Sequence, residues 1–318
     1  MKKILITGVA GFIGSNLAEH LLDEGDSVFG LDNFITGSPK NINKLAARDN
    51  FTFLQADVAS LDSGQKLALE REGFDEVYHL ACPTGVPNLV PLAREMLLAS
   101  SAGTQNILDI ALKARAKFLF TSSSEVYGDP QVYPQKEEYT GNVDPTGIRS
   151  PYEEGKRFAE SLIVMYCRRC RLDGKIARVF NTYGPNMSEK DQRVIPKFFN
   201  QLSNSSPLTI HGDGTQKRTF CHASDLVQGL VLTMRKGESG QVYNIGGAEE
   251  VTIADIAKLM LKLAGRDVGI KHEDRPAHDH QSRRPDLGKI TSLGWSPKIR
   301  LEEGLAQLFN ELEPQKVG

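Results

Sequence analysis

The stretch Thr7-Gly-Val-Ala-Gly-Phe-Ile-Gly14 decides the fold, because it places three glycines between a predicted strand and a predicted helix. The apolar run Lys2–Ile6 before it is typical of a short buried strand. After it, Ile13, Leu17 and Leu21 fall on one face of a helix. The sequence therefore predicts a strand, a glycine turn and a helix in succession.

A second predicted strand, Ser27–Leu31, follows this helix and ends at Asp32. Strand, glycine turn, helix, strand and acid at this spacing are typical of a dinucleotide-binding unit. The glycines let the backbone approach a pyrophosphate, which the helix N-terminus attracts. The Asp32 carboxylate can accept hydrogen bonds from an adenosine ribose but would repel a 2′-phosphate, so the sequence favours NAD over NADP.

Further apolar runs continue the alternation of strands and helices. The predicted strands are Phe51–Leu54, Glu76–Leu80, Phe118–Phe120 and Lys175–Phe180. This alternation predicts an α/β fold with a doubly wound parallel sheet (Rossmann), covered by helices that include a long one from about Leu92 to Ala114. Ligands of such sheets bind beyond the carboxyl ends of the strands. Those ends carry Gly8–Gly14, Asp32, Ala81, Ser123 and Asn181.

Candidate catalytic side chains lie in two later segments. Thr121–Gly128 follows a predicted strand, and Ser150–Lys156 opens a predicted helix. Tyr152 and Lys156 are one turn apart on the same helix face. An ammonium group close to a phenol stabilises the phenolate, so Tyr152 is a candidate proton shuttle for a hydroxyl, with Ser123 as a neighbouring hydrogen-bond partner.

The start of this helix carries several local signals. Ser150 can act as the N-cap, Pro151 suits the first helical position and Glu153 can complete a capping box. We therefore predict that the helix begins directly after Ser150.

The composition of the sequence changes after Asn181, where turns, prolines and glycines become more frequent. We predict an NAD-binding domain over residues 1–181, to which later elements near 219–246 return. Residues 182–218 and 247–313 are predicted to form a smaller, interleaved C-terminal substrate domain.

Composition excludes several classes of protein. The chain has 318 residues, of which 40% are hydrophobic, so it can bury a substantial core. Its formal net charge of −2 gives no overall basic field for nucleic acid or a membrane. The first apolar run is too short for a signal peptide, and no apolar stretch has the length needed to span a bilayer. We expect a cytoplasmic protein.

The four cysteines predict no disulfide framework in a chain of this length. Cys167 and Cys170 form a CxxC, but no second pair follows, so we expect two ordinary thiols rather than a zinc site. His278–His280 has metal-ligand residue types, but we predict no metal site there.

Several segments together carry a resemblance to a known superfamily. They are TGVAGFIG at Thr7–Gly14, SSSEVYG at Ser122–Gly128, YEEGK at Tyr152–Lys156, RVFNTYGP at Arg178–Pro185, HGDGTQKRTF at His211–Phe220 and LGWSP at Leu293–Pro297. Over nearly its whole length, the chain resembles an extended short-chain dehydrogenase/reductase acting on nucleotide sugars. The resemblance implies a homodimer that pairs through the helices at Leu92–Ala114 and Tyr152–Arg168.

Among the subfamilies, the chain most resembles UDP-glucuronate decarboxylases. Those have a Ser-Glu pair before Val-Tyr-Gly-Asp-Pro, as at Ser124–Pro130, and an arginine shortly before the Tyr-Lys run, as at Arg149. Related 4,6-dehydratases usually have Asp-Glu where this chain has Ser124-Glu125, and related 4-epimerases usually lack the acid. Both stay open as alternatives, as does a non-catalytic NAD-binding protein.

The chain departs from the decarboxylases at several positions. Ala81–Asn88 replaces a Ser-Pro-rich loop that should face the sugar, Asn186 replaces an arginine, and Ser100 replaces an asparagine. Arg275–Asp279 is closer to a loop of the dehydratases, whereas Arg283–Asp286 is similar to the decarboxylases. The identity of the sugar therefore depends on more than the shared motifs.

The resemblance implies C4 oxidation of a nucleotide sugar, with a UDP-hexuronate preferred, followed by decarboxylation. Catalysis would use Tyr152, Lys156, Ser123 and Glu125. NAD would contact Gly8, Gly11, Phe12, Ile13, Gly14, Asp32, Asn33, Asp57, Val58, Leu80, Ala81, Tyr152 and Lys156. The nucleotide sugar would contact Ser124, Arg149, Asn181, Arg218, Arg275 and Arg283.

Some of these residues also have a purely structural interpretation. Ser123 and Ser124 could bond backbone groups at a strand end, and Glu125 could pair with a nearby arginine. Arg178 is predicted to be a structural ion-pair partner. Cys82 is expected to be a small, half-buried residue near the nicotinamide rather than a nucleophile.

Overall fold

The computed structural model describes residues 1–188, 191–274 and 282–312. The strands are β1 (Lys3–Thr7), β2 (Ser27–Asp32), β3 (Phe51–Gln55), β4 (Glu76–His79), β5 (Lys117–Ser123), β6 (Gly174–Val179), β7 (Thr182–Tyr183), β8 (Leu208–His211), β9 (Lys217–Thr219), β10 (Cys221–His222), β11 (Val242–Ile245), β12 (Glu250–Thr252), β13 (Ile270–Glu273) and β14 (Ser282–Arg283). The helices are α1 (Phe12–Asp23), α2 (Pro39–Leu45), α3 (Ser63–Arg71), α4 (Ala93–Leu98), α5 (Thr104–Ala114), α6 (Ser150–Cys170), α7 (Val194–Ser203), α8 (Ala223–Lys236), α9 (Ile253–Ala264), α10 (Gly288–Ser292) and α11 (Leu301–Leu312).

The main sheet has the strand order β11-β6-β5-β4-β1-β2-β3, and its pairings are parallel. The direction of winding reverses between β1 and β4, which opens a crevice at the carboxyl ends of these two strands. The predicted α/β fold with a doubly wound parallel sheet is therefore confirmed.

Successive residues of β1 point to opposite faces of the sheet, and helices cover the apolar side chains on both faces. Ile6 belongs to a core that α1 and α8 cover, and this core includes Leu17 and Leu230. Leu5 belongs to the opposite core, where α5 and α6 contribute Ile107 and Ile163. Residues Ile4–Thr7 of β1 are buried as a result.

The chain returns to the sheet after β9, since β11 pairs with β6 and α8 packs beside α1. A separate core lies among α7, α9 and α11 and includes Phe198, Ile256 and Leu305. The assignment of residues 182–218 and 247–313 to a substrate domain stays a prediction. Within the described ranges, no helix has both the length and the apolar character to cross a bilayer.

The predicted start of α6 needs a correction. Arg149 occupies the N-cap position, and its carbonyl oxygen accepts a hydrogen bond from Glu153 N at 3.0 Å. The Glu153 carboxylate accepts from the Arg149 side chain at 3.2 Å, so the capping box predicted from Ser150 is wrong. An ion pair between two largely buried side chains has replaced the local cap.

The long helix predicted from Leu92 to Ala114 is continuous but contains a wide π turn at Ala99–Gly103. A Cβ atom at Gly103 would lie 2.8 Å from Val58 Cγ2, so this turn packs closely against the segment after β3. Ser100 packs in the same way against Gly155 of α6, where a Cβ atom would lie 3.1 Å from Ser100 Oγ. Such turns occur often near functional sites.

Candidate active site

The glycine turn after β1 joins three elements at close range. Gly8 has φ +74°, and a Cβ atom on it would lie 2.8 Å from Ala81 N at the end of β4. A Cβ atom at Gly14 would lie 2.1 Å from the Gly8 carbonyl oxygen, so α1 can approach the turn only with glycine there. Gly11 is the N-cap of α1, and no side chain of the described residues caps this helix end. Its N–H groups are therefore suited to an anion such as a pyrophosphate.

Two acidic residues, Asp32 and Asp57, lie near this turn at the ends of β2 and β3. The Asp32 carboxylate accepts hydrogen bonds from Ala10 N at 3.0 Å and from Phe34 N at 2.8 Å. Burial raises the pKa of Asp32, and these backbone hydrogen bonds oppose the rise. Asn33 Nδ2 donates to Asp57 Oδ2 at 3.0 Å, so the ends of β2 and β3 are joined where the adenosine was predicted.

The end of β4 is tied to β1 through Thr7. Leu80 N donates to Thr7 O at 3.1 Å, and Ala81 N donates to Thr7 Oγ1 at 3.2 Å. The same hydroxyl lies 2.7 Å from His79 Nδ1. Complete burial lowers the pKa of His79 to about 3, so the imidazole is neutral and can share a proton with the threonine.

The other predicted cofactor residues border the same edge. Phe12 and Ile13 begin α1 and are half-buried, and Val58 is buried in the short turn that Asp57 caps. The structure thus brings the predicted NAD residues together at the carboxyl ends of β1 to β4. The contact of each one with NAD stays a prediction.

Lys156 lies between β5 and Tyr152 and is 3% exposed. Its Nζ donates to Thr121 O at 2.8 Å and lies 4.5 Å from the centroid of the Phe120 ring. The same atom lies 5.8 Å from the centroid of the half-buried Tyr152 ring. An ammonium fixed at this distance can stabilise a phenolate on Tyr152.

Ser123 is the last residue of β5 and begins the turn that carries Glu125. Its Oγ accepts a hydrogen bond from Glu125 N at 3.2 Å, and Ser124 is buried beside it. Ser123 therefore bonds a backbone group, as its structural interpretation proposed. The same bond joins the end of β5 to the turn that contains Glu125.

Glu125 lies between two arginines that are far from it in sequence. Its Oε2 accepts from Arg149 Nε at 3.1 Å and also from Arg149 Nη2. Its Oε1 accepts from Arg283 Nη1. Glu125 is thus a paired acid, and the pairing joins it to two residues predicted to bind substrate, whereas its catalytic role stays a prediction.

The two carboxylates of this cluster differ in acidity. Burial would raise the pKa of Glu125, but the cations of Arg283 and Arg149 outweigh it and hold this pKa well below its ordinary value. Burial and the negative charge of Glu125 raise the pKa of Glu153 to about 7, against the opposing effect of Arg149. Neighbouring acids with separated pKa values are a frequent feature of active sites.

One edge of the Arg283 guanidinium has no partner in the part of the chain that the structure describes. Its Nε and Nη2 atoms are buried there without a hydrogen bond. Each buried donor left unpaired costs about 1–3 kcal/mol, and more when it is charged. These two N–H groups lie side by side on a planar cation, which is the geometry that binds a carboxylate through both oxygens.

A cavity of about 120 Å³ lies beyond the end of β6. Asn181 and Arg218 line it together with Tyr183, Pro196 and Phe220. Both residues were predicted to bind the nucleotide sugar, and the structure brings them to one cavity. Their contacts with substrate stay predictions.

The other predicted residues have mixed outcomes. Arg275 lies outside the described residues, as does His278–His280. The structural role of Arg178 is confirmed, since its Nη2 lies 2.7 Å from Glu160 Oε2. Cys82 is half-buried, as expected, with its Sγ 3.8 Å from Ser100 Oγ.

Comparisons with known proteins agree with this geometry. The model of the NAD dependent epimerase/dehydratase family matches residues 4–246. The chain belongs to this family. UDP-glucuronic acid decarboxylase 6 of Arabidopsis thaliana is 41% identical over 305 residues, which cover 95% of this chain and 86% of that protein. UDP-glucuronic acid decarboxylase 1 of Danio rerio is 41% identical over 319 residues, covering 99% of this chain and 74% of that protein.

A solved structure is also similar over nearly the whole chain. It is a mutant of UDP-glucuronic acid 4-epimerase from Bacillus cereus, in complex with UDP-4-deoxy-4-fluoro-glucuronic acid and NAD. Its TM-score is 0.88 at 29% identity, covering 98% of this chain and 99% of that one. The cofactor of the NAD dependent epimerase/dehydratase family fits the residues present here, because the uncapped start of α1, the glycine turn and Asp32 form the cradle that such a dinucleotide needs.

Sequence analysis missed two features of this family member. The Arg149–Glu153 pair has the i, i+4 spacing of a helical ion pair, so the pattern was visible but was interpreted as a capping box. Gln135 is completely buried beside the segment that carries Arg283. No local pattern in the sequence marks it.

Proposed function

We propose that this protein converts UDP-glucuronate to UDP-xylose by transient oxidation at C4 and loss of C6 as CO₂. The observation that carries the proposal is the buried edge of Arg283, which has no partner among the described residues and suits a carboxylate. The similarity to proteins named UDP-glucuronic acid decarboxylases supports it.

Bound NAD supplies a hydride acceptor for C4 of the sugar and later a hydride donor. Tyr152 takes the proton of the C4 hydroxyl, because the nearby ammonium of Lys156 stabilises its phenolate. Ser123 donates a hydrogen bond to the same hydroxyl oxygen. A ketone at C4 is β to the C6 carboxylate, so the electrons of the C5–C6 bond can move toward the ketone as CO₂ leaves.

The cluster of Glu125, Arg149 and Arg283 acts at C5 and C6 of the sugar. Arg283 holds the C6 carboxylate through Nε and Nη2 while its Nη1 stays on Glu125. Glu125, held ionised by Arg149 and Arg283, keeps Arg283 in place. After CO₂ leaves, C5 takes a proton from water, and the hydride and the proton held by Tyr152 return to C4 and its oxygen. We assign Asn181 and Arg218 to the diphosphate, since both line the cavity beyond β6.

Proton NMR of the purified protein with NAD⁺ and UDP-glucuronate tests the reaction. We expect UDP-xylose to appear, and Tyr152→Phe to slow turnover by about 10²- to 10⁴-fold. Arg283→Met should abolish binding selectivity for UDP-glucuronate over UDP-glucose. UDP-galacturonate as the product would instead establish 4-epimerisation, the second candidate, which the similarity to the Bacillus cereus epimerase favours.

We also propose a cytoplasmic homodimer that pairs through α4 and α6. Large apolar side chains are exposed on these helices, with exposed fractions of 45% for Leu97, 53% for Phe158 and 38% for Met165. Light scattering should give the mass of a dimer, and Phe158→Glu should give a monomer. Leu67→Glu is the matched control, since Leu67 is 44% exposed on α3. A monomeric wild-type protein would refute the dimer.

A further inference from the structure

The segment that carries Arg283 has only a short strand of its own. β14 consists of Ser282–Arg283 and pairs in parallel with β9, with Arg283 opposite Arg218. This pairing holds one side of the backbone. The direction of the guanidinium therefore also depends on what holds the residue that follows Arg283.

Gln135 bonds both backbone polar groups of Arg284, the residue after Arg283. Its N–H donates to Arg284 O at 2.8 Å, and its side-chain Oε1 accepts from Arg284 N at 2.8 Å. Its carbonyl oxygen accepts from Asp286 N at 2.7 Å, and its Nε2 donates to Val132 O at 2.9 Å. Gln135 itself is completely buried, so a polar atom of its side chain that lost its partner would be left unsatisfied.

The same network reaches Glu125, the partner of Arg283. Asn244 Nδ2 donates to Gln135 O at 3.0 Å, and Asn244 Oδ1 accepts from Tyr127 OH at 2.8 Å. Tyr127 is the last residue of the short turn Ser124–Tyr127, which contains Glu125. A continuous set of hydrogen bonds thus connects the backbone beside Arg283 to the turn that contains Glu125.

We propose that Gln135 is a positioning residue, which holds Arg283 at Glu125 and thereby sets the preference of the site for a sugar that carries a carboxylate. This inference rests on the proposed function, since it takes Arg283 as the carboxylate ligand. Without the Gln135 side chain, the N–H of Arg284 loses its acceptor, and only β14 and the two backbone hydrogen bonds of Gln135 hold the segment that carries the arginine.

The test is calorimetric binding of UDP-glucuronate and of UDP-glucose, its neutral analogue, to NAD-loaded protein. All measurements use a Tyr152→Phe background to prevent turnover. Gln135→Met keeps the volume of the side chain but removes both of its hydrogen bonds. We expect about tenfold weaker binding of UDP-glucuronate and unchanged binding of UDP-glucose. Equal losses for both ligands, or no loss for either, would overturn the inference.

A double-mutant cycle separates positioning from a general structural role. In an Arg283→Met background, Gln135→Met should have no further effect on UDP-glucuronate binding, because its effect passes through the arginine. Additive losses would refute this. Gln135→Glu, which keeps an acceptor for Arg284 N–H, should retain more selectivity than Gln135→Met and also serves if the methionine variant fails to fold.

Gln201→Met is the matched control. Gln201 also accepts from a backbone N–H of another element, Thr209 N at 3.1 Å, and its Nε2 donates to Thr209 Oγ1. It joins α7 to β8 and should leave the preference for UDP-glucuronate unchanged. If Arg283→Met leaves the preference intact, the proposed function fails. If Arg283→Met removes it but Gln135→Met does not, only the inference about Gln135 fails.

Discussion

Replacing Glu153 by glutamine should remove a specific pH dependence from the stability of the fold. Glu153 is 3% exposed and bonds Arg149, and the negative charge of Glu125 lies close by. Burial and that charge raise the pKa of Glu153 from 4.5 to about 7. The folded protein therefore binds this proton more tightly than the unfolded chain does.

The size of the effect follows from the shift. A raised folded-state pKa contributes stability that is fully present below pH 4.5 and is lost as the pH rises through 7. Each unit is worth about 1.36 kcal/mol, so the loss between these limits amounts to about 3 kcal/mol. Glutamine is a neutral isostere and stays uncharged throughout, so the variant lacks this loss.

The comparison must be made against the variant at each pH, because another buried group acts in the opposite direction. Burial lowers the pKa of His79 from 6.5 to about 3, so stability from His79 is lost as the pH falls below 6.5. His79 is present in both proteins and its effect cancels in the difference.

Urea denaturation at half-unit steps from pH 4.5 to 8 measures that difference, provided the two proteins share the same m-value. We expect the free energy of unfolding of wild type to fall by about 3 kcal/mol relative to Glu153→Gln over this range. In a Glu125→Gln background the midpoint of the fall should move to lower pH, since the charge that raises the Glu153 pKa is gone. A difference that stays constant with pH would refute the reasoning.

Three further predictions concern the glycine turn and the buried ion pair. Gly14→Ala places a Cβ atom 2.1 Å from Gly8 O and should cost about 1–3 kcal/mol or more in urea denaturation. Gly11→Ala meets Gly8 O at 3.2 Å, so it should keep near-normal stability but weaken NAD binding in calorimetry, and unchanged affinity would contradict the assignment of this turn. Arg178→Met leaves the Glu160 carboxylate without its cation and should cost about 3–5 kcal/mol of stability, while the KM of the folded fraction stays unchanged.

The sheet could be predicted from the sequence because its determinants are local. Apolar runs of strand length, glycines with a helix behind them and an acid after the second strand are each visible within a window of about 30 residues. The Tyr152–Lys156 pair was visible for the same reason, since a helical turn relates both residues. The start of α6 was not, because Arg149 bonds Glu125 across 24 residues and this contact outweighed the local cap.

The sequence by itself therefore determined the parallel sheet, the cofactor cradle and the tyrosine–lysine pair, together with a resemblance to decarboxylases. Only the tertiary structure decided that Glu125 lies between Arg149 and Arg283, the second of which is 158 residues away. It also decided that Gln135 holds the backbone at Arg284, 149 residues away. Such contacts depend on where separate strands and loops end relative to one another in space. The spacing of residues along the chain does not predict the distance between side chains that are so far apart in sequence.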